Sequence, residues 1–467
     1  MGDRGGQAMI RLIARTTSSA QDISAPLRVD DAPAAFLAGR MQQLGYTVVV
    51  AALVTIYATA LTMARTLGIG VDYACFRAAA RVLSQGHNPY SYSDLWTMEN
   101  ILYNAARHMP SGSGVSSYRP NLYYNPPLFA WALQPLAGLS FWLGYACYAI
   151  ATILLAGVAA WLTLKAFGWT RYIPVAVGVA LVSPYVFLGA WYGQQSALLL
   201  CAFAAALYAL RRGHPGFAGA CFVIAWIKPH LLIPVALALP FLLPPRAARR
   251  FYAGLCATTL CGLALMALTT GGASVVAWAR ALIGYTGYAD TVQNYLPSLA
   301  GTAWLLLPHP WNRIAMGGLV IVGVAVMMFF IAFARRRDID PCVGASVLMA
   351  CWLLFTPFAH AHDDVLLLPA LALACGRNAA RVTRVLPSVA LWSVSVLSFA
   401  FILPEPWKLL GVLPPVAVCC AAVAACVTID NRKPLVDSAT SYFRPPTIDF
   451  RLSTRGHAPA ARRCRRG

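Results

Sequence analysis

Apolar residues in this chain run in blocks, many of them near the length that crosses a bilayer core as a helix, about 20 residues. Such a block closes its own backbone hydrogen bonds, so it needs no water and no soluble core to hide them. Twelve blocks stand out, near residues 46–66, 140–164, 173–190, 196–210, 215–228, 231–245, 251–270, 314–334, 341–357, 364–376, 385–403 and 408–428. Several are short, which predicts helices that are broken or that continue past Pro or Gly. Charged residues make up 11% of the chain, against about 25% in soluble domains. The expected fold is an all-α polytopic membrane protein, a bundle of about 12 transmembrane helices spanning residues 46–428.

The connectors alternate in charge. Lys165 and Arg171, Arg211 and Arg212, the 246–250 and 335–337 arginines, Arg377, Arg381 and Arg384, together with both tails, hold 27 of the 36 basic residues. The positive-inside rule puts this set and both termini in the cytoplasm, with the protein in the plasma (inner) membrane. This placement reads the net charge of +20 as topology and headgroup contact with membrane lipids; no basic segment carries the interleaved aromatics of a nucleic-acid-reading module. Residues 1–45 and 429–467 read as disordered cytoplasmic tails, the second one basic. The first tail lacks the apolar region of a signal peptide. Nearly all of the 13 cysteines sit inside apolar blocks and none forms a CxxC pair, so no zinc or redox centre is expected.

Two outer connectors are long, about 66–139 and 271–313, and each holds an apolar piece too short to span, Pro127 to Leu136 and Pro297 to Leu307. These read as juxtamembrane helices. Seven of the sixteen acidic residues fall on the outer side: Asp72, Asp94, Glu99, Asp290, Asp363, Asp364 and Glu405. Asp72 is the best placed for a general base, a few residues after the first block, at the start of a helix expected to run to Ser84 and stop at Gly86. Spacing alone allows the alternative that Asp72 caps that helix.

Other outer residues carry two readings each. Tyr90, Tyr124 and Asn125, with their prolines, suit either a rigid interfacial loop or a surface for carbohydrate or headgroup. Lys228, in Trp226-Ile227-Lys228-Pro229-His230, either snorkels or holds a donor phosphate. Trp191-Tyr192-Gly193-Gln194-Gln195-Ser196 joins two blocks, as does Pro357 to Asp364. His360, His362 and Asp363 are metal-ligand types, but the histidines are only two apart and no third set of ligands is evident. Phosphate contact by the histidines, or capping by Asp363, fits better.

The run Asp72-Tyr73-x-x-Phe76 to Gly86-x-Asn88-Pro89-Tyr90 resembles glycosyltransferase family 87. So do Tyr124-Asn125-Pro126-Pro127, Gly193-Gln194-Gln195-Ser196, Ile227-Lys228-Pro229 and the Pro357–His362 loop. The resemblance covers roughly Val71 to Leu371. It implies a polyprenyl-phosphate-sugar-dependent transferase of the C-type glycosyltransferase fold, similar to the mannosyltransferases that act on phosphatidylinositol mannosides. It implies a base at Asp72, donor-phosphate contacts from Lys228 and His360 or His362, helped by Arg77 or Arg81, and substrate contacts from Tyr90, Tyr124, Asn125, Gln194 and Gln195. The stretch around Asn294, Pro297 and Ser298 fits the family pattern only loosely.

The expected function is inverting transfer of a sugar, mannose by family association, from a polyprenyl-phosphate donor to a lipid or glycan acceptor at the outer leaflet. No cofactor is expected, and no phosphate-cradling Gly-rich loop occurs. The rival class is a transporter or flippase of a lipid-linked sugar. A transport path calls for charged residues in mid-span, and few occur.

Overall fold

The computed structural model describes residues 69–91, 93–95, 97–98, 123–169, 173–284, 297–376, 397 and 407–427. The blocks at 46–66 and 385–403 and both tails lie outside these residues, apart from position 397. Every element within them is helical. In chain order they are α1 (Val71–Ser84), α2 (Pro127–Ala132), α3 (Gln134–Ala137), α4 (Phe141–Ala166), α5 (Ile173–Leu181), α6 (Pro184–Tyr192), α7 (Ser196–Arg211) and α8 (Pro215–Cys221). There follow α9 (Pro229–Ala238), α10 (Pro245–Thr270), α11 (Gly272–Gly284), α12 (Leu299–Leu306), α13 (Trp311–Arg336), α14 (Pro341–Phe355), α15 (Leu368–Gly376) and α16 (Leu413–Val427).

By length and composition, four helical stretches among the described residues can cross a membrane: α4, α10, α13 and Leu409–Val427. The pair α5 and α6, bent by 51° at Val182-Ser183, makes a fifth if it counts as one span. The ten blocks that fall within the described residues therefore do not each form one full-length helix. The reason is local chemistry. Pro184, Pro229 and Pro240 cannot continue the helices before them, and the blocks they interrupt break into shorter helices and 3-10 turns such as Phe222–Ile227 and Leu239–Leu242. The two short outer pieces are helical, as α2–α3 and α12. The 271–313 connector also holds α11, a 13-residue helix that block length alone does not separate from its surroundings.

The long helices carry large apolar side chains on their outer faces, Leu154, Leu268, Ile321 and Phe329 among them, each at least 65% exposed. On a soluble surface such a density would drive association; facing lipid it costs nothing. Inside, α7, α9, α14 and α15 form the principal core with the inner faces of α4 and α13. Small residues let helices approach there: Ala156, Ala159 and Ala160 of α4 and Ala204 and Ala206 of α7 are all buried. Closer still is α8 against α10. A Cβ on Gly219 would collide with the Phe251 carbonyl, and one on Gly254 with the Gly216 carbonyl.

A second, aromatic core packs α1 on α2, α3 and the start of α4, through Tyr73, Phe76, Tyr123, Phe141 and Tyr148. It places α1 over one end of the bundle. The opposite end is fastened by Asp340. Its Oδ1 caps α14, accepting from Cys342 N at 2.8 Å, while its Oδ2 pairs with Arg211 Nη1 at 3.1 Å. The sixteen residues of α7 thus separate Ser196, at the α1 end, from the arginine end by roughly 24 Å.

Candidate active site

Each residue at the α1 end sits where Gly or Pro interrupts a helix. The helix α6 stops at Gly193, whose φ of 74° is left-handed and suits glycine. A Cβ there would meet Tyr73 Cβ at 2.6 Å. Gly70, also left-handed at φ 68°, donates from its amide to the Trp191 carbonyl at 2.8 Å. Tyr145 Oη donates to the carbonyls of Ala190 and Trp191 at 2.9 and 3.0 Å. These contacts lock the start of α1 onto the end of α6.

Asp72 consequently meets Gln194, whose side chain hydrogen-bonds the carboxyl. The helix runs to Ser84 with left-handed Gly86 just past its end, as the spacing predicts. Its N-cap, however, is Gly70, and Asp72 is the second residue of the first turn. Capping is therefore not what places this carboxylate. Burial raises the Asp72 carboxyl, while the Gln194 hydrogen bond and the Lys228 charge oppose the rise; Asp363 adds to it, and the result is about 6.

Lys228 is presented by Pro229. A residue before proline avoids the helical region, and Lys228 has φ −135° and ψ 79° between the Phe222–Ile227 turn and α9. Its ammonium lies 2.7 Å from Asp363 Oδ1, 3.2 Å from His362 Nε2 and 3.5 Å from Ser196 Oγ. Asp363 comes from the loop that follows α14, which ends at Thr356 before Pro357. Its Oδ1 also accepts from Ser196 Oγ at 2.5 Å, and its Oδ2 from the His360 amide at 3.1 Å. Burial works to raise this carboxyl, but the Lys228 ammonium, by its charge and its hydrogen bond, outweighs it and holds it well below the usual carboxylate range. Burial likewise keeps the His362 imidazole neutral, helped by Lys228 and His360 and opposed by Asp363. The His360 and His362 rings lie 5.2 Å apart, and Tyr192 meets His362 edge-on at 6.1 Å.

Beside this centre, Gln195 Nε2 donates to Asn125 Oδ1 at 2.8 Å, and the Asn125 carbonyl accepts from Tyr90 Oη at 2.7 Å. The Tyr124 carbonyl accepts from Trp278 Nε1 at 3.0 Å, which ties the 66–139 connector to the 271–313 connector. The buried Oε1 atoms of Gln194 and Gln195 have no hydrogen-bond partner.

The structure thus brings Asp72, Gln194, Lys228 and His362 into one electrostatic centre, with His360 beside it and Gln195, Asn125 and Tyr90 adjoining. Arg77 and Arg81 go elsewhere. Arg77 Nη2 donates to the Leu139 carbonyl at 2.6 Å and Arg81 Nε to the Ala137 carbonyl at 2.8 Å, clamping the end of α3. Among the described residues, no group of three or more His, Cys, Asp or Glu is arranged to hold a metal ion. The sequence alone leaves Asp363 as one of seven outer acids, a cap or a metal-ligand type, and gives no role to Ser196. A usable signal was present: a lysine beside apolar blocks calls for a counter-ion, and the outer acids were few.

The model of glycosyltransferase family 87 matches residues 123–357, half of the 467-residue chain. The chain belongs to glycosyltransferase family 87. It is a membrane glycosyltransferase, and the matched stretch contains Asn125, Gln194, Gln195, Ser196 and Lys228. Asp72, Tyr90, His360, His362 and Asp363 lie outside that stretch and join it through the contacts above. A search of curated proteins found no match.

Proposed function

We propose that this family 87 glycosyltransferase moves a sugar, mannose by family association, from a polyprenyl-phosphate donor to a hydroxyl of a lipid or glycan acceptor, with inversion. The observation that supports it most is the meeting of Asp72 with Gln194 and Lys228, residues far apart in the chain, at the end of the bundle away from the arginine-rich connectors. With both termini and the arginines cytoplasmic, this end faces the outer leaflet of the plasma membrane. A donor whose leaving group is itself a lipid reaches that end within the bilayer.

In this reading the Asp72 carboxylate takes the proton of the acceptor hydroxyl as its oxygen attacks the anomeric carbon. The bond from that carbon to the phosphate oxygen breaks, and the electron pair leaves with polyprenyl phosphate. A base near pKa 6 is ionised at neutral pH yet still basic enough to accept a proton. Lys228, with His360 and His362, stabilises the charge gathering on the phosphate. Tyr90, Tyr124, Asn125 and the two glutamines contact the sugars.

The test is transfer by the purified chain from radiolabelled polyprenyl-phosphate mannose to membrane lipid extract. Formation of a new glycosidic bond, lost in Asp72→Asn, is the expected result. Movement of label across reconstituted vesicles without bond formation points instead to a transporter or flippase.

A further inference from the structure

The Lys228 ammonium is held from three sides, and the three contacts are not equivalent. The shortest, 2.7 Å, is to Asp363 Oδ1. The next, 3.2 Å, is to His362 Nε2. An ammonium only donates, so Nε2 accepts and the imidazole proton resides on Nδ1. The longest, 3.5 Å, is to Ser196 Oγ, which gives its own proton to Asp363 Oδ1 at 2.5 Å. Every acceptor and donor around Asp363 is thus accounted for: two partners on Oδ1, the His360 amide on Oδ2, and a side chain with no solvent exposure.

We infer that Asp363, itself braced by Ser196, is the positioning residue that fixes the Lys228 ammonium between His362 and Ser196. This rests on the reading of Lys228 as the donor-phosphate contact. A lysine on four flexible carbons gives up much rotamer freedom when ordered. If that cost fell due when the donor arrived, it would weaken donor binding. Here the ion pair meets it in advance, and the transition state finds a charge already in place. The arrangement also leaves an entry for phosphate. The weak contact to Ser196 can be exchanged for a phosphate oxygen without breaking the 2.7 Å pair.

The experiment compares wild type, Asp363→Asn and Ser196→Ala as full-length protein in nanodiscs, with kcat and KM measured separately for donor and acceptor. Melting temperature and the pH dependence of transfer are recorded in parallel. For Ser196→Ala, kcat/KM for donor is expected to fall about tenfold, the worth of one hydrogen bond to a charged group, with acceptor KM unchanged. For Asp363→Asn a larger fall in the same parameter is expected. Its acidic limb should also move to lower pH, because the charge that opposes Asp72 ionisation is gone. A role confined to packing lowers donor and acceptor kinetics alike and gives no donor–acceptor split. Should Asp363→Asn fail to fold, Ser196→Ala decides alone, since it removes one oxygen from an intact ion pair. Wild-type donor kinetics in a folded Ser196→Ala, or equal losses for donor and acceptor, overturn the inference while leaving the transferase reading standing. Absence of transfer in the wild type removes that reading, and the inference with it.

Discussion

Gly193 lies flat against Tyr73: a Cβ built on the glycine would sit 2.6 Å from Tyr73 Cβ and 3.1 Å from its amide nitrogen. Tyr73 follows the proposed base directly, so this contact sets the distance from Asp72 to Gln194. Gly193→Ala adds a methyl where none fits, at a φ of 74° that alanine disfavours. Loss of transfer by tenfold or more is expected, together with a lower melting temperature. Kinetics and thermal unfolding of the same preparation check both.

The Asp72 carboxyl, raised to about 6, must be ionised to accept a proton. Transfer should therefore be maximal above that value and fall tenfold per pH unit below it. In Asp72→Asn the rate should fall by at least about a hundredfold. Gln194 steadies the ionised form through its hydrogen bond, so Gln194→Leu should move the acidic limb to higher pH. A pH–rate profile of the three proteins reads all of this.

Arg77 and Arg81 place their hydrogen bonds on the carbonyls of Leu139 and Ala137. Replacing either by Ala should lower stability by about 1–3 kcal/mol, the usual worth of a hydrogen bond from a charged group. The donor KM should stay close to wild type. Unfolding followed by intrinsic fluorescence, alongside donor titration, separates these arginines from Lys228.

The contact of α8 with α10 leaves no room for a side chain at Gly254. Gly254→Leu should prevent the two helices from meeting and yield protein that aggregates on extraction. Gly272→Ala, where no atom lies within reach of a new Cβ, should extract normally. Size-exclusion profiles in detergent compare the two.

Much of the site was readable because its residues sit beside helix breakers. Gly193, Pro229 and Pro357 are visible in the sequence, and beside them stand Gln194, a lysine between apolar blocks at 228 and a histidine pair at 360 and 362, residue types that stand out in apolar surroundings. The helix from Asp72 to Ser84 was equally legible from its glycine stop. Pairings were not legible. Nothing in local pattern says that Lys228 meets Asp363, 135 residues away, or that Arg77 and Arg81 turn toward the α3 carbonyls. The first follows from how α7, α9 and the connector after α14 converge, the second from α1 packing on α2 and α3; both are long-range packing. Helix lengths among the described residues were hidden for a related reason: apolar blocks report hydrophobicity, whereas helix length depends on where proline falls.

The helix α7 is stapled at both ends to the segment that contains α14, by Ser196 to Asp363 in the connector after it and by Arg211 to Asp340 at its N-cap. Two rivets on one strut forbid sliding: a slip of a single turn, 5.4 Å, would tear both at once. The register of the proposed reaction centre is thereby gauged from the opposite end of α7. Adding or deleting one residue anywhere between Ser196 and Arg211 must then displace the lysine's counter-charge, even where the altered residue touches nothing in the site.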